Sequence, residues 1–123
     1  MASTDKTEQL TLSAKSLAAA ITGLVDQQAI ALFRGIPYAT VEKRWTHSRI
    51  RNNLTSPFDA TQFGPRCPQK EGPVLVAGDG VDPAPGEHEF NCLHLNIAVP
   101  KEALPSEERK NSKGIPVIVW IHG

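Results

Sequence analysis

The sequence predicts a strand-built chain organised around a sheet covered on both faces, and three segments carry that expectation. Residues 115–121, Ile-Pro-Val-Ile-Val-Trp-Ile, are apolar at consecutive positions and rich in β-branched side chains. Side chains alternate between the two faces of a strand, so such a run suits a central strand buried on both sides. Leu93, Leu95, Ile97 and Val99 alternate with His94, Asn96 and Ala98, the pattern of a strand with one buried face. Residues 17–21 and 30–33 are apolar stretches on either side of a polar, turn-rich gap from Gly23 to Gln28, and predict a β-hairpin. Within it Ile30 and Leu32 share one face, and Ala31 and Phe33 the other. The alanines at 18–20 leave a helix over residues 17–25 as the alternative.

The connections follow from composition. Residues 1–11 are polar and expected to form a frayed leader ahead of a unit spanning 12–123. Gly35 permits a sharp bend at the end of the second hairpin strand, and Pro37 removes a ladder donor there. Residues 41–53 are polar and basic, with Trp45 as the one large anchor. Residues 57–87 hold six prolines and five glycines, an irregular stretch far longer than the usual connection of about 4–6 residues. Residues 105–113 are charged and read as a solvent loop.

At 123 residues the chain has room for one domain. Thirteen Lys and Arg balance thirteen Asp and Glu, so there is no basic footprint to attract nucleic acid or an anionic membrane. A hydrophobic fraction of 40% is too high for a disordered chain. Two cysteines are too few for a small disulfide scaffold. The longest strongly apolar run, 117–121, falls far short of the roughly 18 residues a spanning helix needs. Residues 17–25 lie late, follow no net positive region, and are interrupted by Thr22 and Gly23, so they do not read as a secretory signal. The sequence as written reads as cytoplasmic, with secretion expected only if its N-terminus is incomplete. The sequon at Asn53-Leu54-Thr55 matters only in that second case.

Four segments, in order, resemble the type-B carboxylesterase/cholinesterase family of α/β-hydrolases. Phe33-Arg34-Gly35-Ile36-Pro37-Tyr38-Ala39, followed by Arg44-Trp45, is similar to the family's F-x-G-I-P-Y-A and R-F steps. Asp59-Ala60-Thr61-Gln62-Phe63-Gly64-Pro65-Arg66-Cys67-Pro68-Gln69 forms the second segment. Asn91-Cys92-Leu93-His94-Leu95-Asn96-Ile97-Ala98-Val99-Pro100 resembles the E-D-C-L-Y-L-N-V signature. Pro116-Val117-Ile118-Val119-Trp120-Ile121-His122-Gly123 looks like the strand leading into the H-G-G oxyanion loop.

The resemblance implies an α/β fold. Residues 12–123 would be a truncated N-terminal part of it, a small N-terminal β-hairpin plus the first strands of a large central sheet. It implies that the strands at 93–99 and 117–121 belong to that one sheet. The implied activity is hydrolysis of a carboxylic ester through a serine acyl-enzyme, with a small neutral ester or amide as the expected partner and with no cofactor and no metal. His122 and Gly123 would start the oxyanion loop, whose later glycines turn backbone N–H groups toward the substrate carbonyl oxygen. The family's nucleophile, acid and base lie beyond Gly123. None of Ser13, Ser16, Ser48, Ser56, Ser106 and Ser112 sits in a Gly-x-Ser-x-Gly elbow. The isolated chain is therefore expected to be inactive.

Cys67 and Cys92 match the family's first disulfide. Closing that loop would stabilise the fold by about 3.5 kcal/mol on chain entropy, and two reduced thiols are the alternative. The enclosed stretch would be an Ω-like loop beside the active-site gorge. In cholinesterases it carries an aromatic for the choline cation, whereas here Phe90 alone is aromatic between the cysteines, so the resemblance implies no choline substrate. His88, Cys92 and His94 match no paired metal-ligand spacing. Phe90 and Asn91 stand where the signature has Glu and Asp. The family's Glu pairs with the Arg of the R-F step, here Arg44. Glu89 is one position off and, on a strand, would point to the other side, so the resemblance leaves the partner of Arg44 open.

Two other function classes fit parts of the sequence. One is a non-catalytic, interaction-type relative of the same fold, such as the family's adhesion members. The other is a small stand-alone binding domain. Oligomeric state is not legible. The two-faced strand at 117–121 would have exposed edges and favour aggregation, leaving the N-terminal hairpin the most self-sufficient piece.

Overall fold

The computed structural model describes residues 7–70, 85–106 and 114–121. Among them are the strands β1 (Glu8–Ala14), β2 (Ala19–Val25), β3 (Ile30–Pro37), β4 (Ala39–Thr40), β5 (Arg49–Ile50), β6 (Phe58–Asp59) and β7 (His94–Pro100). One sheet has the order β1-β2-β3-β7, with β6 paired in parallel to β2. The short strands β4 and β5 pair with each other.

The hairpin forms between β2 and β3, and the alternative helix does not. Gly23 lies inside β2 rather than in the turn, which is confined to residues 26–29. Asp26 builds that turn. Its carboxylate accepts the amides of Gln28 at 2.9 Å and Ile30 at 2.8 Å, and its own amide donates to the Ile30 carbonyl at 3.0 Å. Ala29 closes the turn at φ 59°, a left-handed conformation disfavoured for an L-residue by about 1–2 kcal/mol. Ala29→Gly is expected to raise stability by about 0.5–1 kcal/mol. A lower melting temperature for this variant would contradict the account of the turn.

β1 starts at Glu8, inside the stretch expected to fray. Leu10, Leu12 and Ala14 alternate with Gln9, Thr11 and Ser13, and the three apolar residues pack against the core. The Thr11 and Thr22 hydroxyls meet across the β1–β2 pair at 2.9 Å. The strand was hidden by its polar outer face.

β2 and β3 pair only at Leu24↔Leu32 and Val25↔Ala31 before diverging. β6 fills the fork: Ile21 and Thr22 pair with Phe58 and Asp59, the Ala60 amide donates to the Thr22 carbonyl at 2.7 Å, and the Arg34 amide to the Ala60 carbonyl at 2.8 Å. Gly23 faces Phe33 so closely that a Cβ there would sit 2.5 Å from the Leu32 carbonyl oxygen and 2.6 Å from the Phe33 ring. The core is one cluster of Ala19, Ile21, Ala31, Phe33, Ile36, Leu54 and Ala60. Leu54 is held in place by its amide donating to the Leu17 carbonyl at 3.1 Å. Thus Ala31 and Phe33 mark the buried face of β3, while Ile30 and Leu32 are half-buried on the other.

Three expectations need correction. Residues 117–121 form no strand, and all five side chains are more than three-quarters exposed. A strand apolar on both faces needs neighbours at both edges and cover above and below, and the described residues supply neither. In β7, Leu95 and Ile97 remain 37% and 45% exposed, and of the apolar residues on that face of the strand Val99 is the one packed against the core among the described residues. Trp45 anchors nothing: it is fully exposed at φ 63° in a turn. No helix among the described residues is long and apolar enough to cross a membrane.

Candidate functional site

Residues from three of the four family-like segments meet at Gly35. In the β3–β7 pair the register runs Phe33↔Ile97 and then Ile36↔Leu95, so Arg34 and Gly35 together oppose Asn96. This is a β-bulge, and Gly35 takes φ +62° within it. The Gly35 amide, turned out of the ladder, donates to Asn96 Oδ1 at 2.9 Å. A Cβ at Gly35 would lie 2.7 Å from the Gln62 carbonyl oxygen and 2.8 Å from the Gly64 nitrogen. The bulge therefore packs backbone against backbone on residues 62–64.

Contacts around the bulge fix the same junction. The Arg34 guanidinium stacks 4.6 Å above the Phe63 ring centre. The Tyr38 amide donates to the Leu93 carbonyl at 3.1 Å. The His94 ring lies against Gly64, with Nδ1 3.4 Å from the Pro65 carbonyl oxygen. Asp59 accepts from the Thr61 hydroxyl at 2.7 Å and the Thr61 amide at 2.9 Å, and these bonds hold its carboxyl below the usual carboxylate range. Phe33, Gly35, Ala60, Gly64 and Asn96 are thus parts of one structural joint, though they are scattered in sequence.

Below this joint lies the neck of the long loop. Arg66 bridges to Glu87: the Arg66 amide donates to the Gly86 carbonyl at 2.9 Å, the His88 amide donates to the Arg66 carbonyl at 3.0 Å, and the two side chains form an ion pair at 3.4 Å. The neck brings Cys67 and Cys92 together as two half-buried thiols. Cys67 Sγ lies 3.7 Å from the Cys92 carbonyl oxygen. Burial, and then the neighbouring Cys67 thiol, push the Cys92 thiol up to about 11, so Cys92 is held as the neutral thiol and is a poor nucleophile. Residues 71–84 of the enclosed loop lie outside the described residues, as do His122 and Gly123. No three His, Cys, Asp or Glu side chains among the described residues converge as a metal set.

The partner of Arg44, which the sequence left open, is Glu89. Arg44 is held by Glu89 through two hydrogen bonds, Nε to Oε1 and Nη2 to Oε2, the latter at 3.0 Å. Glu89 sits in a bend before β7 and not on the strand, so strand alternation does not govern where it points. The hydrogen bonds to Arg44 lower the Glu89 carboxyl below its ordinary range, and the bond to Glu89 raises the Arg44 guanidinium. Sequence reading also missed the role of Asn96. No local signal could have found it, because the register that sets Asn96 opposite Gly35 is not written in either strand alone. A hollow of about 500 Å³ lined by Glu8, Asp26, Gln28, Leu32 and Arg34 lies beside the hairpin turn, and neither cysteine borders it.

What this arrangement does chemically is position. It fixes the root of the loop against β3 and β7. The Carboxylesterase family model matches residues 11–123. This chain belongs to the carboxylesterase family. It is 35% identical over 103 residues to Lipase 1 of Yarrowia lipolytica, covering 80% of this chain and 18% of the lipase. To Phenmedipham hydrolase of Pseudarthrobacter oxydans it is 34% identical, covering 79% and 18%. To mouse Carboxylesterase 1F it is 31% identical, covering 78% and 17%. The chain therefore spans less than a fifth of the length of these carboxylesterase-family relatives. A crystal structure of Aspergillus niger EstA aligns with 69% of this chain and 15% of its own, at 24% identity and a TM-score of 0.49. Family membership makes the fold class that of the α/β-hydrolases, and the described residues are a small, mostly stranded N-terminal portion of it.

Proposed function

We propose that these residues are the N-terminal part of a serine carboxylic-ester hydrolase acting on a small neutral ester, with residues 12–123 belonging to its catalytic domain. The continuous family match over residues 11–123 supports this reading, together with the hydrolase and lipase names of the relatives. In it His122 and Gly123 begin the oxyanion loop, whose amides stabilise the charge that develops on the ester carbonyl oxygen. Attack on that carbonyl requires a serine in a Gly-x-Ser-x-Gly elbow, and the 123 residues contain none. The chain's own contribution is the joint at Gly35 and the neck of the 67–92 loop. In an oxidising compartment Cys67 and Cys92 join and lock that neck, and in a reducing one they stay as thiols.

The purified 123-residue chain is expected to hydrolyse p-nitrophenyl butyrate no faster than buffer, and to take no label from a fluorophosphonate. Turnover well above background, or stoichiometric labelling of a serine, would overturn the assignment of the nucleophile to residues outside these 123.

A further inference from the structure

The sequon Asn53-Leu54-Thr55 takes no part in the joint or the neck. Asn-x-Ser/Thr, with x not proline, is the acceptor pattern for an N-linked glycan. The asparagine supplies the reacting amide, and the hydroxyl two residues on is read by the transferase. Asn52, Asn91, Asn96 and Asn111 have Leu54, Leu93, Ala98 and Lys113 at that second position, so Asn53 alone carries the pattern.

The fold presents this sequon to solvent. Residues 51–55 form neither strand nor helix and lie on the connection between β5 and β6. The connection is pinned at three points. The Arg51 amide donates to the Tyr38 carbonyl at 2.9 Å, the Leu54 amide to the Leu17 carbonyl at 3.1 Å, and the Ala20 amide to Ser56 Oγ at 3.0 Å. Leu54 is buried in the core cluster, while Asn53 and Thr55 on either side of it are exposed. Arg51 Nε reaches Asn53 at its main-chain carbonyl, at 3.5 Å, and leaves the carboxamide alone. Among the described residues neither that carboxamide nor the Thr55 hydroxyl has a hydrogen-bond partner. Asn96 and Thr61 differ: the Asn96 carboxamide holds the Gly35 amide, and the Thr61 hydroxyl donates to Asp59.

We propose that Asn53 is an N-glycosylation site, filled when the chain passes through a secretory lumen. The proposal does not rest on the ester-hydrolase reading. The donor is a lipid-diphosphate-linked oligosaccharide. The Asn53 amide nitrogen bonds to the anomeric carbon of its first sugar, the bond from that carbon to the diphosphate oxygen breaks, and the amide gives up one proton as the lipid diphosphate leaves. The glycan then projects from an exposed residue, and Leu54 keeps its place in the core.

The test is translation of the 123-residue chain into microsomes behind a cleavable secretory leader. A single slower-migrating form is expected, which peptide-N-glycosidase collapses without denaturant. Digestion in ¹⁸O water is expected to mark position 53 as a labelled aspartate. Asn53→Gln and Thr55→Ala are each expected to abolish the slower form, whereas Thr55→Ser and Asn52→Gln keep it. The site is overturned if the translocated chain carries no glycan, if the label falls on another asparagine, or if the glycan resists digestion until the chain is denatured.

Discussion

Gly35→Val is expected to destabilise the sheet by about 3 kcal/mol or more, enough to unfold a domain of ordinary marginal stability. Two independent penalties act at this position. At φ +62° an L-residue loses about 1–2 kcal/mol relative to glycine. The added Cβ also meets the Gln62 carbonyl oxygen at 2.7 Å and the Gly64 nitrogen at 2.8 Å, and both are backbone atoms that cannot rotate away. Overpacking of this kind typically costs a further 1–3 kcal/mol. Gly35→Asn separates the two effects, because asparagine tolerates the left-handed region but still carries the Cβ. It is expected to recover only part of the loss. Asn96→Ala removes the acceptor for the Gly35 amide and is expected to cost about 1 kcal/mol. Urea unfolding followed by far-ultraviolet circular dichroism is the suitable measurement. Trp45 and Trp120 are both exposed, so tryptophan fluorescence would report little of the core. A Gly35→Val chain that unfolds at the parent midpoint would contradict the joint described above.

Phe33→Ala is expected to cost about 3–5 kcal/mol, the range for emptying a buried aromatic site. Phe33 is 5% exposed and lies in the same cluster as Ile21, Ala31, Ile36 and Ala60. Its ring also occupies the space over Gly23, so the two positions are coupled. Gly23→Ala alone is expected to lose about 1–3 kcal/mol by overpacking. Shrinking the ring with Phe33→Leu does not fully rescue it, because the new Cβ still meets the Leu32 carbonyl oxygen at 2.5 Å. A double variant as stable as Phe33→Leu alone would show that β2 and β3 can separate at that point.

Much of this architecture was legible in the residues, for reasons that can be stated. The hairpin and β7 could be read because alternation of apolar side chains is a local property. The family could be read because Phe33, Gly35, Cys67, Cys92 and Asn96 sit in fixed contexts. What local pattern could not give was the joint itself. Gly35, Gln62, Gly64 and Asn96 are far apart in sequence and meet only through the bulge. The Arg44–Glu89 pair was not legible because alternation on a strand would turn Glu89 away, and the bend before β7 frees its side chain to reach Arg44. β1 was missed because a polar outer face looks like a leader when each residue is counted singly. The segment 117–121 has the composition of a buried strand, but composition records what a segment needs and not whether its neighbours are present. Its apolar side chains find no cover among the described residues.

The central proposal is that these residues belong to a serine esterase whose nucleophile is not among them. Sequencing the transcript past the codon for Gly123 tests it most directly. The account predicts further glycine codons at once, completing the oxyanion loop, and a Gly-x-Ser-x-Gly elbow downstream. An open frame that continues through the family's length with the elbow serine replaced, or a stop codon directly after Gly123, would contradict it.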